Sequence, residues 1–264
     1  MPKRLLLRDI PFIRAPLEET FECIFGNKKF RIATVMHSYG FVLAQFDLAY
    51  QTAVRESDCV FSDGVGITAL VSLMTGKSAR ITGSELFSVV MQHQNVTGGS
   101  IFFVGSDSDT LNVIEQRVRN EWPGIARIGT YAPPFCKKFS SAQKRLMIDA
   151  INRVMPNVVW VGMTAPKQEI LISDIHSELK VDFIAGIGAV FDFYSRKKNR
   201  APVWMRQLGL EWAYRGLQNP TQFFRRNLIG IPIFITIGSV ELFERYLISS
   251  LRTFVSKLAP KSDR

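Results

Sequence analysis

Between Arg31 and Ile187 the chain alternates short runs rich in β-branched and aromatic residues with longer stretches whose apolar positions recur every three or four residues. The runs predict strands at 32–36, 59–62, 100–105, 126–131, 158–162 and 181–187, and the stretches predict helices near 41–56, 84–93, 109–122, 141–155 and 167–179. This repeated order predicts an α/β fold, a Rossmann-like mostly parallel sheet with helices on both faces. Sheets of that kind bind ligands outside the carboxyl ends of their strands, so chemistry is sought in the residues that follow each strand.

The pattern changes in the last quarter. Residues 227–240 carry no charge, and Phe243, Leu247, Leu251, Phe254 and Leu258 then recur on one helical face. The uncharged run contains Gly230, Pro232, Thr236 and Gly238 and is shorter than the roughly 20 apolar residues of a membrane span. Charge sharpens the division: residues 196–264 hold thirteen Lys and Arg against four Asp and Glu, whereas residues 1–195 hold twenty against nineteen. A catalytic body at 1–195 and a basic C-terminal appendage at 196–264 are expected, the appendage docking its apolar run and amphipathic helix on an anionic membrane surface without crossing it. Packing of that helix on the body, or on a second copy in a homo-oligomer, is the other use of such a face. Nucleic acid as a partner would explain the charge but not the apolar run, and it is not expected.

Composition adds exclusions. Cys23, Cys59 and Cys136 are odd in number and lack paired spacing, which predicts reduced thiols rather than disulfides or a zinc site. His37, His93 and His176 have no ligand spacing, and the first ten residues break their apolar stretch at Arg8 and Asp9, too early for an export signal. No Gly-X-Gly-X-X-Gly or Walker lysine loop is present, which argues against nicotinamide and P-loop enzymes.

Several strand ends carry candidate chemistry. Asp63-Gly64-Val65-Gly66 sets an acid at a strand mouth beside two glycines that permit a tight turn and close approach to a ligand; an N-cap role for Asp63 is the alternative. After the strand at 158–162, Pro166 suits the first turn of a helix whose preceding amides can face an anion, with Lys167 and Gln168 beside it. Gly105 ends one strand and Gly186-Ile187-Gly188 ends another. Asp107-Ser108-Asp109 has the form by which some nucleotide-sugar enzymes hold a cation, but its place at a helix start predicts capping.

Taken in order, these segments resemble the WecG/TagA/CpsF family of bacterial glycosyltransferases. The likeness runs through Ile32-Ala33-Thr34, Ser62-Asp63-Gly64-Val65-Gly66, Arg80-Ile81-Thr82-Gly83-Ser84-Glu85-Leu86-Phe87, Phe103-Val104-Gly105, Gly162 to Glu169, Gly186 to Phe193, Arg200 to Trp204, Leu210 to Arg215, Pro220 and Arg225-Arg226. It implies inverting transfer of a sugar from a UDP donor to an undecaprenyl-diphosphate-linked saccharide, in surface-polymer or exopolysaccharide synthesis. The enzyme would be peripheral at the cytoplasmic face of the inner membrane, with no metal or other cofactor. Asp63 matches the family's base. Thr34, Arg80 and Gln168 match site positions, a hydroxyl, a guanidinium and an amide suited to sugar and diphosphate. Gly64, Gly66, Gly105, Pro166, Lys167 and Gly188 line the implied substrate site, and Arg215, Arg225 and Arg226 would meet a diphosphate near the membrane.

The departures concern the donor. Where the family has Thr-X-Asn, this chain has Thr34-Val35-Met36 followed by His37, which joins the substrate-side set in place of the missing amide. The loss favours a plain hexose or a uronic acid over an N-acetylated sugar. Glu85 replaces a shorter Asp, and Gln222 stands where an Arg is common. A metal-dependent Asp-X-Asp transferase and a catalytically silent nucleotide- or lipid-binding protein are the alternative readings.

Overall fold

The computed structural model describes residues 4–26, 31–76, 79–197, 201–202, 204–205, 211–218 and 220–258. Its centre is an eight-stranded sheet in the order β1-β2-β4-β3-β8-β7-β5-β6. The strands are β1 (Arg4–Leu7), β2 (Ile10–Ile13), β3 (Ile32–Met36), β4 (Cys59–Ser62), β5 (Ser100–Val104), β6 (Arg127–Tyr131), β7 (Val158–Val161) and β8 (Phe183–Gly186). Only the β1–β2 pair is antiparallel. The expected α/β sheet is therefore present, with a hairpin added at one edge. That hairpin turns through Arg8 and Asp9, both at positive φ without a glycine, so the usual turn signal is missing from the sequence.

The helices are α1 (Leu17–Phe25), α2 (Ser38–Leu43), α3 (Leu48–Arg55), α4 (Val65–Thr75), α5 (Gly83–Thr97), α6 (Ser108–Glu121), α7 (Ser141–Val154), α8 (Lys167–Ile175), α9 (Val190–Tyr194), α10 (Glu211–Gln218) and α11 (Pro220–Leu258). The single helix expected at 41–56 is two, because the Asp47 side chain accepts from Tyr50 N–H at 3.0 Å and caps a new start. No helix is expected from the pattern at 65–75, yet α4 is there. Its sequence, Val-Gly-Ile-Thr-Ala-Leu-Val-Ser-Leu-Met-Thr, has too little polar contrast to register as an amphipathic stripe.

Strand alternation divides the core. Ala33, Phe61, Phe103, Trp160 and Phe183 point to the side covered by α5, α6 and α9. Phe102, Val159, Val161 and Ile184 point the other way, against α7 and α8, and Phe12, Met36 and Val60 join a cluster with α2, α3 and α4. Both faces are thus buried, as a parallel sheet requires.

The carboxyl-terminal segment differs from the expected apolar run followed by a separate amphipathic helix. It is one helix of 39 residues, with Pro232 inside it. Gly230 and Gly238 act here as points of close approach. A Cβ at Gly230 would stand 2.8 Å from the Tyr39 ring, and one at Gly238 would stand 3.3 Å from Leu70. Phe234, Ile237 and Leu242 pack on the α2–α4 cluster, and Phe234 meets Phe41 edge to face at 6.1 Å. Lower down, Arg8 pairs with Glu241 at 3.6 Å and Arg245 donates to the Leu6 carbonyl. The opposite side of α11 exposes Leu228, Ile229, Ile235, Phe243, Tyr246 and Leu247. Among the described residues no helix is long and apolar enough to cross a membrane.

Candidate functional site

The order in which strands are added to the sheet reverses between the parallel neighbours β3 and β8. From β3 the chain moves outward to β4, then crosses over to β5 and returns through β7 to β8. The carboxyl ends of β3 and β8 mark the topological switch point, and it is in the crevice outside such a point that open α/β sheets hold ligands.

On the β3–β4 side, the Asp63 N–H donates to the Met36 carbonyl at 2.8 Å, fixing this acid at the end of the ladder. Its side chain is half-buried. Asp63 is not the cap of α4; that position belongs to Gly64, at φ +95° and with no side-chain cap bond. The turn is pressed against the start of α2, since a Cβ on Gly66 would stand 2.6 Å from Ser38 Oγ. His37 is the N-cap of α2 and its Nδ1 accepts from Gly40 N–H at 2.9 Å, an unusual use of imidazole that leaves Nε2 to carry the proton in the neutral ring. Arg80 is exposed and close in chain to two ties with the end of β4: Ile81 N–H donates to the Ser62 carbonyl at 3.1 Å, and Ser62 Oγ to the Ala79 carbonyl at 3.3 Å. Glu85 is committed to a capping box with Thr82 rather than to an ion pair with Arg80.

Thr34 is enclosed. It sits inside β3 at 2% exposure, its hydroxyl 2.9 Å from Ser57 Oγ within the core. Met36, in place of the family amide, is also enclosed and packs in the α2–α4 cluster. Alternation explains both placements, because residues two apart on a strand share a face, and here that face is covered by helices.

On the β7–β8 side, polar groups face inward. Gly105 has φ +111°, and a Cβ there would stand 2.8 Å from the Gly162 carbonyl oxygen. The Ala165–Pro166 bond is cis, and Pro166 takes the cap position of α8. Lys167 turns toward the loop after β6, with Nζ 2.5 Å from the Cys136 carbonyl and 4.1 Å from the Phe139 ring centroid. Gln168 is 4% exposed, and its Oε1 accepts from Gly188 N–H at 3.0 Å and Met163 N–H at 3.3 Å. The crevice thus holds its neighbours Gly188 and Met163 through Gln168, while Gln168 and Lys167 themselves are occupied by protein partners.

Glu169 is the residue that sequence reasoning missed. It is 3% exposed, its Oε1 accepts from Gln168 Nε2 at 2.8 Å, and its Oε2 has no hydrogen-bond partner. Burial pushes this carboxyl up to about 7, against which the Gln168 hydrogen bond is a smaller effect. A signal was present: an acid between Gln168 and the buried Leu171 and Ile172 belongs to the inward stripe of α8.

Asp107 caps α6, accepting from Thr110 N–H at 2.8 Å, and pairs with Lys197 at 2.5 Å; these bonds hold its carboxyl well below the usual range. No group of three or more His, Cys, Asp or Glu side chains is arranged to hold a metal ion among the described residues. Arg215 falls in α10, and Arg225 and Arg226 fall in α11 ahead of Gly230; their side chains lie outside the described residues. The contacts of Gly230 and Phe234 with the first turns of α2 and α4 set this end of α11 at the crevice, about 7 Å of helix rise beyond Gly230 reaching Arg225.

Two curated relatives cover most of the chain. One from Bacillus spizizenii is 29% identical over 222 residues, 83% of this chain and 82% of its own length. One from Bacillus subtilis is 28% identical over 202 residues, 76% and 75% of the two chains. Both are named N-acetylglucosaminyldiphosphoundecaprenol N-acetyl-beta-D-mannosaminyltransferase. The family model for glycosyl transferases of the WecG/TagA/CpsF type matches residues 6–248, from the edge hairpin to the outer part of α11, and the chain belongs to that family.

Proposed function

We propose that this protein transfers a hexose-type sugar from a UDP donor to a polyprenyl-diphosphate-linked saccharide, with inversion at the anomeric carbon. The observation that carries the proposal is Asp63, a half-buried carboxylate at the switch-point crevice on a turn opened by Gly64 and Gly66. In the displacement, an acceptor hydroxyl gives its proton to the Asp63 carboxylate as its oxygen bonds to the anomeric carbon. The bond from that carbon to the UDP oxygen breaks, and the electron pair leaves with the diphosphate. Arg80, the crevice amides and the arginines of α10 and α11 would neutralise that charge, with no metal taking part. Asp107 is already engaged by Thr110 and Lys197, which favours this over an Asp-X-Asp cation site.

The relatives' names favour N-acetylmannosamine as donor sugar and N-acetylglucosaminyl-diphosphoundecaprenol as acceptor. The absence of the family amide at Met36 favours a sugar without the acetamido group. A panel of UDP-sugars offered with a lipid-diphosphate acceptor separates the two, and anomeric analysis of the product tests inversion. Transfer with retained configuration would remove the single inverting displacement, and no transfer from any UDP-sugar would favour a silent binding protein.

The exposed side of α11 supports peripheral docking on an anionic bilayer at the cytoplasmic face. Ile229 and Ile235 are more than half exposed, and contiguous apolar surface of this kind suits an interface. A lipid-anchored acceptor would then meet the crevice end of the same helix.

A further inference from the structure

The polar pair at the start of α8 is the most tightly specified group in the crevice that the displacement does not use. Gln168 Oε1 receives two backbone N–H groups from separate strand-end loops, Met163 after β7 and Gly188 after β8. Its Nε2 donates to Glu169 Oε1 at 2.8 Å. Only one orientation of the carboxamide satisfies all three bonds, because two donors must face an oxygen and the carboxyl oxygen must face a donor. The backbone leaves room for this arrangement: a Cβ on Gly186 would lie 2.9 Å from the carboxamide carbon and nitrogen, so a side chain there would expel Gln168.

We propose that Gln168 and Glu169 form a positioning strap, in which Glu169 fixes the flip of the Gln168 carboxamide and Gln168 ties the loops after β7 and β8 into the shape that receives the nucleotide. The Gln168 oxygen is then not a contact to the donor sugar. A sugar hydroxyl could win its oxygen only by releasing two buried backbone amides, each of which costs about 1–3 kcal/mol when left unpaired. Glu169 stays inside because it has a donor to satisfy, although a second oxygen remains without a partner.

This rests on the UDP-donor reading, and the experiment separates the two. Binding of UDP and of the accepted UDP-sugar is measured by calorimetry on the full chain and on Gln168→Ala, Glu169→Leu and Glu169→Gln, with amide exchange followed at Met163, Gly188 and, as control, Gly105. Gln168→Ala and Glu169→Leu should each weaken UDP alone by about tenfold and the UDP-sugar by the same factor, the size expected for one lost buried hydrogen-bond set. Exchange should quicken at Met163 and Gly188 but not at Gly105. Glu169→Gln, which keeps an acceptor for Gln168, should recover binding to within about threefold of the parent. Weakened binding of the UDP-sugar with UDP unchanged would make Gln168 a sugar contact and overturn the strap. Unchanged exchange at Met163 and Gly188 would overturn it as well. A parent chain that binds no UDP would instead end the donor reading, and the exchange pattern would still decide the strap.

Discussion

The two sides of the crevice use polar residues in opposite ways. On the β3–β4 side, Asp63 stands half-buried on a turn whose glycines hold no Cβ against a ligand, and Arg80 is exposed nearby. On the β7–β8 side, Gln168 and Glu169 are almost wholly enclosed and spend their hydrogen bonds on the protein. One side leaves a carboxylate partly open and the other encloses its polar groups. The largest test of that contrast is Asp63→Asn, which should lower turnover by about 100-fold or more at unchanged fold and donor affinity, since an amide cannot take the acceptor proton. Transfer assays with a lipid-diphosphate acceptor, alongside thermal melts, check it. Unchanged turnover would move the base elsewhere.

Glycines sharpen the contrast in stability. Gly64 and Gly105 share positive φ, but a Cβ at Gly64 meets nothing within 4 Å, whereas one at Gly105 meets a backbone oxygen at 2.8 Å. Gly64→Ala should therefore cost about 1–2 kcal/mol from backbone strain alone. Gly105→Ala should cost about 3 kcal/mol or more, because strain and overpacking add. Denaturant titration of both variants measures the difference, and equal costs would mean that the β5–β7 loops yield freely.

These contrasts were only partly open to inspection in the sequence. The central strands are legible because four- and five-residue apolar runs buried on both faces leave a continuous signal. The place of Asp63 is legible because it directly follows a buried apolar run and precedes two glycines, which sets it at the end of β4. The enclosure of Thr34 is not legible, since a hydroxyl near a strand end reads as presented until its partner Ser57, distant in sequence, is known. The bonds of Gln168 are hidden for the same reason: its partners come from two loops and from the next residue. Helix α11 is misjudged because glycine and proline read as interruptions, while in the fold Gly230 and Gly238 admit Tyr39 and Leu70.

Burial of Glu169 gives the β7–β8 side a pH signature. The folded chain keeps this proton up to about pH 7, and an ordinary glutamate releases it near 4.5. Between those values the native state binds more protons than the unfolded state, so stability falls as pH rises through that window and levels off above it. The contribution is up to about 3 kcal/mol. Glu169→Gln should thus match the parent near pH 4.5 and exceed it at pH 8, measured by denaturant midpoints at the two values. A gap that does not change with pH would mean that Glu169 is already ionised in the fold.

The smallest expected effect lies on the β3–β4 side, where α11 packs near the crevice and exposes apolar side chains. Ile229 and Ile235 are exposed, while Phe234 between them packs on Phe41. Ile229→Asp with Ile235→Asp should leave the melting temperature unchanged and weaken sedimentation with anionic vesicles at every salt concentration, whereas Phe234→Asp should destabilise the fold itself. Charge should act separately and more gently. Arg225→Ala with Arg226→Ala should reduce vesicle affinity by about 1 kcal/mol per arginine at low salt, fading as the screening length shortens to about 8 Å near physiological ionic strength. If the isoleucine pair can be charged without loss of vesicle binding, the exposed side of α11 meets something other than lipid, and a second copy of the chain becomes its natural occupant, to be read from the oligomeric state in solution. If the arginine pair instead changes transfer in detergent, away from any bilayer, these side chains serve the diphosphate in the crevice, and the mouth end of α11 belongs to the site.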